Sequence, residues 1–384
     1  MNMKIVFIHR NIFQNRPPVI SVISHLTKLE KQPILITAGI NEEYRNLLIS
    51  KGIKVIVIPF QLKGNVVRNY IDSKQWGWKV EKCIRELSKN EKLLLWIEGN
   101  YTFASLSAKI INKYPHILQI QELFDDYGFK GWIKESIYKR KIGKIAQPAI
   151  GCIVNEYNRA HLIRAFFKLN KLPYILPNKP AFILSEDELK KLDDIYKEYD
   201  SVFEKKVIIY QGLLTTGRSN FVPYLEAVKR LNEQSDEYRV VFVGKDFGMV
   251  EKYKKMGYDF VHIPFVPAPN YLYFTSKAYI GIVTYIPDIL NNVYCAPNKI
   301  FEYAAYGIPI LGNDIPGLRF TIDANHCGKV SDDTSESVYE QLLYIINHYE
   351  EMSIAAKQFF DATDNYATVG RIISDIESTI GHIE

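Results

Sequence analysis

The chain has 384 residues, 47% hydrophobic and 24% charged, with 21 glycines and 17 prolines. At roughly 100 to 200 residues per domain this length suggests two domains, and the composition excludes disordered, collagen-like and low-complexity classes. The net charge of +5 conceals a split: residues 1–180 carry 29 basic and 13 acidic side chains, a net of +16, and the rest carry 19 and 30, a net of −11. Such asymmetry speaks of partners rather than fold, and points the first half towards an anionic surface or ligand.

In chain order, short apolar runs alternate with helical patterns. Strands are predicted at 4–9, 33–37, 54–59, 92–97, 117–121 and 149–154, with helices at 17–31, 42–51, 72–90, 101–114, 131–145 and 156–168. Pro17 and Pro18 mark the first helix start, where proline is tolerated. Residues 172–205 break the rhythm with three prolines and an acidic stretch, the signature of a linker. The pattern restarts with strands at 206–211, 238–243, 260–263, 279–284 and 308–312, and with helices at 220–232, 246–256, 269–276, 297–306, 315–324 and 335–349. The alternation predicts the α/β class, two doubly wound parallel sheets, with function on loops after strands and in a cleft between the domains.

The domain reading is 1–180, a linker at 181–205, a second domain at 206–360, and a terminal amphipathic helix at 361–384 that crosses the boundary. The four-residue apolar run Ile5 to Ile8 is too short for a signal peptide, and no window approaches the ~18 apolar residues of a membrane span. Cys83, Cys152, Cys295 and Cys327 lie far apart with no metal-ligand spacing, so neither a disulfide framework nor a zinc site is expected and a cytoplasmic location fits.

The densest basic stretch, 129–145, sets Lys130, Lys134, Lys139, Arg140, Lys141 and Lys144 against a single Glu135. Phe129, Trp132, Ile133 and Ile137 recur at helical steps, so the segment fits an anionic membrane surface as well as an ordinary packed helix. Nucleic acid is not expected, because no recognition motif accompanies the charge.

The most informative segment is 294–317, YCAPNKIFEYAAYGIPILGNDIPG. Pro297 opens a helix on which Asn298, Lys299 and Glu302 share one face, with Phe301, Ala304 and Ala305 on the other. Gly307 suits a left-handed cap, and Asp314 an N-cap before Pro316. A lysine in the first turn and a carboxylate one turn later suit a nucleoside diphosphate: the helix dipole and Lys299 attract phosphate, and Glu302 can accept ribose hydroxyls. A surface Lys/Glu pair on a structural helix is the plain alternative.

NKIFEYAAYGIPIL with GNDIPGLR resembles the donor-nucleotide segment of GT-B glycosyltransferases, specifically the group 1, family 4-like class of bacterial sugar transferases. IIYQGLLTTGRS resembles that family's first strand and loop of the second domain: the resemblance implies that Gly212 lets the backbone approach the donor and that Arg218 binds phosphate. Three positions depart from the pattern. Leu213 stands where the family has an arginine, Tyr294 where retaining members have a first glutamate eight residues before Glu302, and HRNIFQNRPP where paired glycines are usual.

The resemblance implies two Rossmann-like domains facing a cleft and transfer of a sugar from a nucleotide-diphosphate donor, a UDP-sugar foremost, to a glycan or lipid-linked acceptor in surface polysaccharide synthesis. The enzyme would be peripheral on the inner membrane face. Asp125 and Asp126 lack a further ligand at magnesium-binding spacing, so no metal or cofactor is expected, and Arg218 and Lys299 would stabilise the leaving group instead. An inverting reaction needs a base after a strand of the first domain: Glu122 is the first choice, then Glu98 and His9. Two other readings stay open, a nucleotide-sugar epimerase and a catalytically silent GT-B protein that binds a glycan or a partner.

Overall fold

A computed structural model describes residues 3–61, 65–123, 140 and 142–381. It divides into two compact units, Met1–Ala181 with Asp364–Glu384, and Phe182–Thr363. The first contains a seven-stranded, all-parallel sheet in the order β3-β2-β1-β4-β5-β6-β7. Its strands are β1 (Lys4–Ile12), β2 (Ile34–Gly39), β3 (Lys54–Val57), β4 (Leu93–Glu98), β5 (His116–Gln119), β6 (Gly151–Val154) and β7 (Tyr174–Ile175). Val6, Phe7 and Ile8 on β1 and Leu95, Trp96 and Ile97 on β4 are each fully buried, so both faces of the central strands are covered, which is why they read as unbroken apolar runs.

The second unit has six parallel strands in the order β10-β9-β8-β11-β12-β13. They are β8 (Lys206–Gln211), β9 (Tyr238–Val243), β10 (Val261–Ile263), β11 (Ile280–Val283), β12 (Ile310–Asn313) and β13 (Gly328–Ser331). In each sheet the strand order reverses once, between β1 and β4 and between β8 and β11, and ligands of open α/β sheets bind at the carboxyl ends of such strands.

Several expected elements are corrected. The segment read as a linker is structured: β7 completes the first sheet, and Glu186–Asp193 is a helix with a Ser185/Glu188 capping box. Leu184, Leu192 and Val202 are buried in the core of the second unit, and Tyr273 Oη donates to Asp193 Oδ1 at 2.9 Å. The single helix expected at 101–114 breaks into Asn100–Ser105 and Ala108–Ile111, because extended Leu106 and the Ser107 cap interrupt it. The helix expected at 315–324 is one α-turn, Pro316–Leu318, followed by a π-type turn, Arg319–Asp323. Asp314 does not cap it; its carboxylate pairs with the Arg319 guanidinium, Nε to Oδ1 at 2.6 Å. The basic stretch 129–145 lies outside the described residues except for Arg140 and 142–145.

The terminal helix, Asn365–Gly381, packs in the core of the first unit. Val369, Ile372, Ile373, Ile376 and Ile380 join Phe7, Leu26 and Trp96 there. Asn365 Nδ2 donates to the Pro177 carbonyl at 2.8 Å, and Lys31 pairs with Glu377 at 2.6 Å. Ile372→Ala should therefore destabilise the first unit by about 2–5 kcal/mol, as cavity-forming truncations do. Urea unfolding followed by a probe in the first unit checks this; an unchanged midpoint would mean that the helix contributes nothing to that core.

Candidate active site

The chemistry-bearing residues of the second unit gather where β8 and β11 end. After Gln211 the chain turns through Gly212 at φ +148, a conformation that side-chain-bearing residues rarely adopt. A Cβ at Gly212 would stand 3.1 Å from Tyr210 Oη and 3.3 Å from Lys299 Nζ, so the missing side chain makes room for the ammonium. Lys299 comes from the Asn298–Ala305 helix, whose N-terminal residue Pro297 supplies no capping side chain. All residues from Lys299 to Ala305 are buried, so Lys299 and Glu302 are not a surface pair on a structural helix.

The ammonium of Lys299 lies 4.0 Å from the centre of the Tyr210 ring and 5.7 Å from that of Tyr285. The Arg218 guanidinium lies 5.6 Å from the same Tyr285 ring, so the two cations expected to bind phosphate converge on one place. Local bonds fix this arrangement. Ile286 donates its N–H to the Arg218 carbonyl at 2.9 Å, and Ser219 Oγ donates to the Thr284 carbonyl at 2.8 Å. The Asn313 amide clamps Tyr285, accepting from its N–H at 3.1 Å and donating to its carbonyl at 2.8 Å. Burial lowers the Lys299 pKa, opposed by Tyr210 and reinforced by Arg218. Burial alone would raise the Tyr210 phenol, yet Lys299 and Arg218 outweigh it and bring its pKa down.

Glu302 sits one turn after Lys299, and its carboxylate is occupied. Tyr271 donates to Oε1 at 2.5 Å, Gln211 Nε2 donates to Oε2, and Gln211 Oε1 accepts from Thr275 Oγ1. The side chain is 5% exposed, and burial raises its pKa against the pull of Tyr271, Lys299 and Gln211. In this structure Glu302 is an interior anchor rather than an acceptor open to a ribose. Asn298, half-buried, starts the helix beside these groups.

In the first unit, His9 within β1 and Glu98 at the end of β4 are register partners. His9 Nδ1 is 2.5 Å from Glu98 Oε2, both side chains are buried, and His9 Nε2 has no hydrogen-bond partner among the described residues. Next to it, Arg10 reaches Ser73 Oγ at 2.6 Å and Ser105 Oγ at 2.9 Å, with the Phe60 ring 4.5 Å away; burial lowers its pKa to about 10. Glu122 follows β5, and its backbone carbonyl accepts from Asn100 Nδ2 at 2.7 Å. Asp125 and Asp126 lie outside the described residues, among which no group of three or more His, Cys, Asp or Glu side chains is placed to hold a metal. All four cysteines are free.

Sequence reasoning missed Tyr210, Tyr285, Asn313 and Tyr271, because a tyrosine or asparagine in such an apolar stretch carries no signal separating a site wall from a core.

No family model matches the sequence, and no curated protein matches it. Solved structures do. Anabaena HepE, in complex with UDP and glucose, is 14% identical with a TM-score of 0.67, over 98% of this chain and 100% of that one. WaaG, a glycosyltransferase involved in lipopolysaccharide biosynthesis, is 15% identical with a TM-score of 0.64, over 97% and 99%. A putative UDP-N-acetylglucosamine 2-epimerase from Listeria monocytogenes is 15% identical with a TM-score of 0.61, over 99% and 97%. At these identities the likeness establishes the fold: two Rossmann-like domains of the GT-B type.

Removing the donor from Tyr271 tests the anchor. Tyr271→Phe leaves Glu302 Oε1 without its bonded hydroxyl and should cost about 1–3 kcal/mol. Equilibrium unfolding of the second unit measures it, and a neutral variant would show that the carboxylate finds another partner at no cost.

Proposed function

We propose that the chain is a metal-independent glycosyltransferase that moves a sugar from a nucleoside-diphosphate donor, a UDP-sugar foremost, to a glycan or lipid-linked acceptor. The observation that carries this reading is the convergence of Lys299 and Arg218 on Tyr285 at the reversal point of the second sheet. Breaking the bond between the anomeric carbon and the diphosphate puts negative charge on the leaving oxygens. A cation about 4 Å away is worth roughly 4 kcal/mol at an effective dielectric near 20, and a preorganised donor typically ~10² to 10³ in rate. Gly212 allows close backbone approach and Asn298 opens the helix whose N-terminus favours an anion. The ligands of structural neighbours support the donor class: HepE has been solved with UDP and with UDP-glucose.

The acceptor hydroxyl must lose a proton as it attacks. We assign that proton to His9 Nε2 rather than to Glu122, because Glu98 holds Nδ1–H and leaves Nε2 as the accepting atom. The imidazolium so formed is stabilised by the carboxylate 2.5 Å away. Surface polysaccharide synthesis at the inner membrane face, with residues 129–145 against anionic lipid, completes the reading.

Titration calorimetry with UDP should show that Lys299→Met and Arg218→Met each weaken binding by about 10-fold or more. Because the Lys299 pKa is lowered, its proton leaves below the ordinary lysine value of 10.5. UDP affinity of the native chain should therefore fall as pH rises through the alkaline range, and Lys299→Met should flatten that dependence. Undiminished binding in both variants would reject the site. UDP-sugar turnover with and without EDTA tests metal independence, and release of an epimerised sugar would favour the epimerase reading.

His9→Gln should lower the transfer rate by about 10² to 10⁴ while leaving UDP affinity intact. Equal loss of rate in Glu122→Gln with none in His9→Gln would return the base to Glu122.

A further inference from the structure

A buried cation of the first unit lacks the partner that several exposed ones have. Arg45, Arg68 and Arg85 are exposed, yet they pair with Glu42 at 3.4 Å, Asp72 at 3.2 Å and Glu81 at 3.2 Å. Arg10, in β1 beside His9, is 6% exposed, and no carboxylate pairs with it among the described residues. This inverts the ordinary order, in which water serves an exposed charge and a buried one needs a counter-ion. What encloses the guanidinium is neutral. Nη1 donates to Ser73 Oγ at 2.6 Å and to Ser105 Oγ at 2.9 Å, and Ser105 Oγ passes its own proton to the Tyr101 carbonyl at 2.8 Å. The Phe60 and Tyr101 rings lie 4.5 Å and 5.3 Å from the guanidinium carbon. Burial lowers the Arg10 pKa, opposed by the Tyr101 phenol.

The serines use two of the five guanidinium N–H groups. Nε has no hydrogen-bond partner among the described residues, and no bond to Nη2 occurs among them. The Nε–Nη2 edge so left matches a planar carboxylate, which it grips with two parallel bonds. Neighbouring positions hold unpartnered acceptors. His9 Nε2 comes from the preceding residue, and Asn100 Oδ1 from two residues after Glu98, the register partner of His9. His9, Arg10 and Asn100 are each more than nine-tenths buried, where an unmet polar group is costly. A ligand that satisfies them brings hydroxyls for the two acceptors and a negative charge for the guanidinium, and a sugar acid carries both. The Tyr101 side chain is 53% exposed, so the guanidinium lies one ring below the surface.

We propose that Arg10 binds the carboxylate of an acidic acceptor sugar, one of the uronic acid class, beside the His9–Glu98 pair. This rests on the transfer reading above and adds the charge of the acceptor to it. Arg10 binds and orients; the proton of the acceptor hydroxyl still goes to His9.

The test titrates the full chain with methyl glucuronide, methyl glucoside and inorganic phosphate. The glucuronide should bind about 10-fold tighter than the glucoside, the difference that a charge-assisted pair supplies. It should also raise the thermal unfolding midpoint of the native chain at concentrations where the glucoside does not. Arg10→Met should erase the preference and Arg10→Lys should keep part of it, with UDP affinity unchanged in both as the control for folding. Equal binding of glucuronide and glucoside by the native chain overturns the proposal, whether or not the variants fold. So does a preference that survives in Arg10→Met, and so does phosphate that binds tighter than glucuronide and depends on Arg10. The donor reading is judged by UDP binding to the native chain, which none of these sugars measures, so the two readings fail separately.

Discussion

An ammonium group enclosed in a protein interior is expensive unless something replaces its water, and the second unit is arranged around meeting that cost for Lys299. The replacement is indirect. The π-face of Tyr210 lies beneath the charge, Gly212 vacates the space for it, and Glu302 is held one helical turn away by Tyr271 and Gln211. With a carboxylate bonded directly, the cation would be neutralised and of little use to an anionic ligand. With none nearby, burial would drive off the proton. Glu302 stabilises the ammonium at a distance, while the Tyr210 side chain bonds to it directly.

The two units solve the same geometrical problem with different residues. Reversal of strand order leaves the carboxyl ends of two neighbouring strands without a crossover helix on the same side, and side chains there are held by both strands at once. In the second sheet this position carries Gly212 and Tyr285, which organise cations. In the first, Glu98 ends β4 beside His9 of β1, its parallel register partner, and the two side chains are hydrogen-bonded. A parallel ladder sets such a pair rigidly, because a slip of one residue would turn both side chains to the other face.

Much of the fold was legible because parallel strands covered on both faces read as apolar runs separated by helical periodicity. β7 and β13 were not. β7 has two residues, and β13 begins at Gly328, whose Cβ would overlap the Ile310 carbonyl oxygen at 1.8 Å, a requirement set by a distant strand. In the site, the resemblance pointed to Gly212 and Arg218 and the helix start to Lys299, and the structure brings the three together beside Tyr210 and Tyr285. The role of Glu302 was not, because it depends on Tyr271 and Gln211, 31 and 91 residues away. His9 and Glu98 were separate candidates until register joined them across 89 residues.

The charge split runs against a simple electrostatic view of the donor site, for the proposed anion-binding cations belong to the acidic half of the sequence, net −11. Range resolves the conflict. Surface carboxylates are screened over about 8 Å at physiological ionic strength, whereas an ammonium and a guanidinium beside the same buried ring act at short distance through a poorly polarisable medium. Global charge therefore governs how each half meets large surfaces, and local burial governs what its site holds. On that argument the basic excess of the first half belongs to exposed residues such as Lys79 and Lys82, rather than to the buried Arg10, which serine hydroxyls and aromatic rings already enclose.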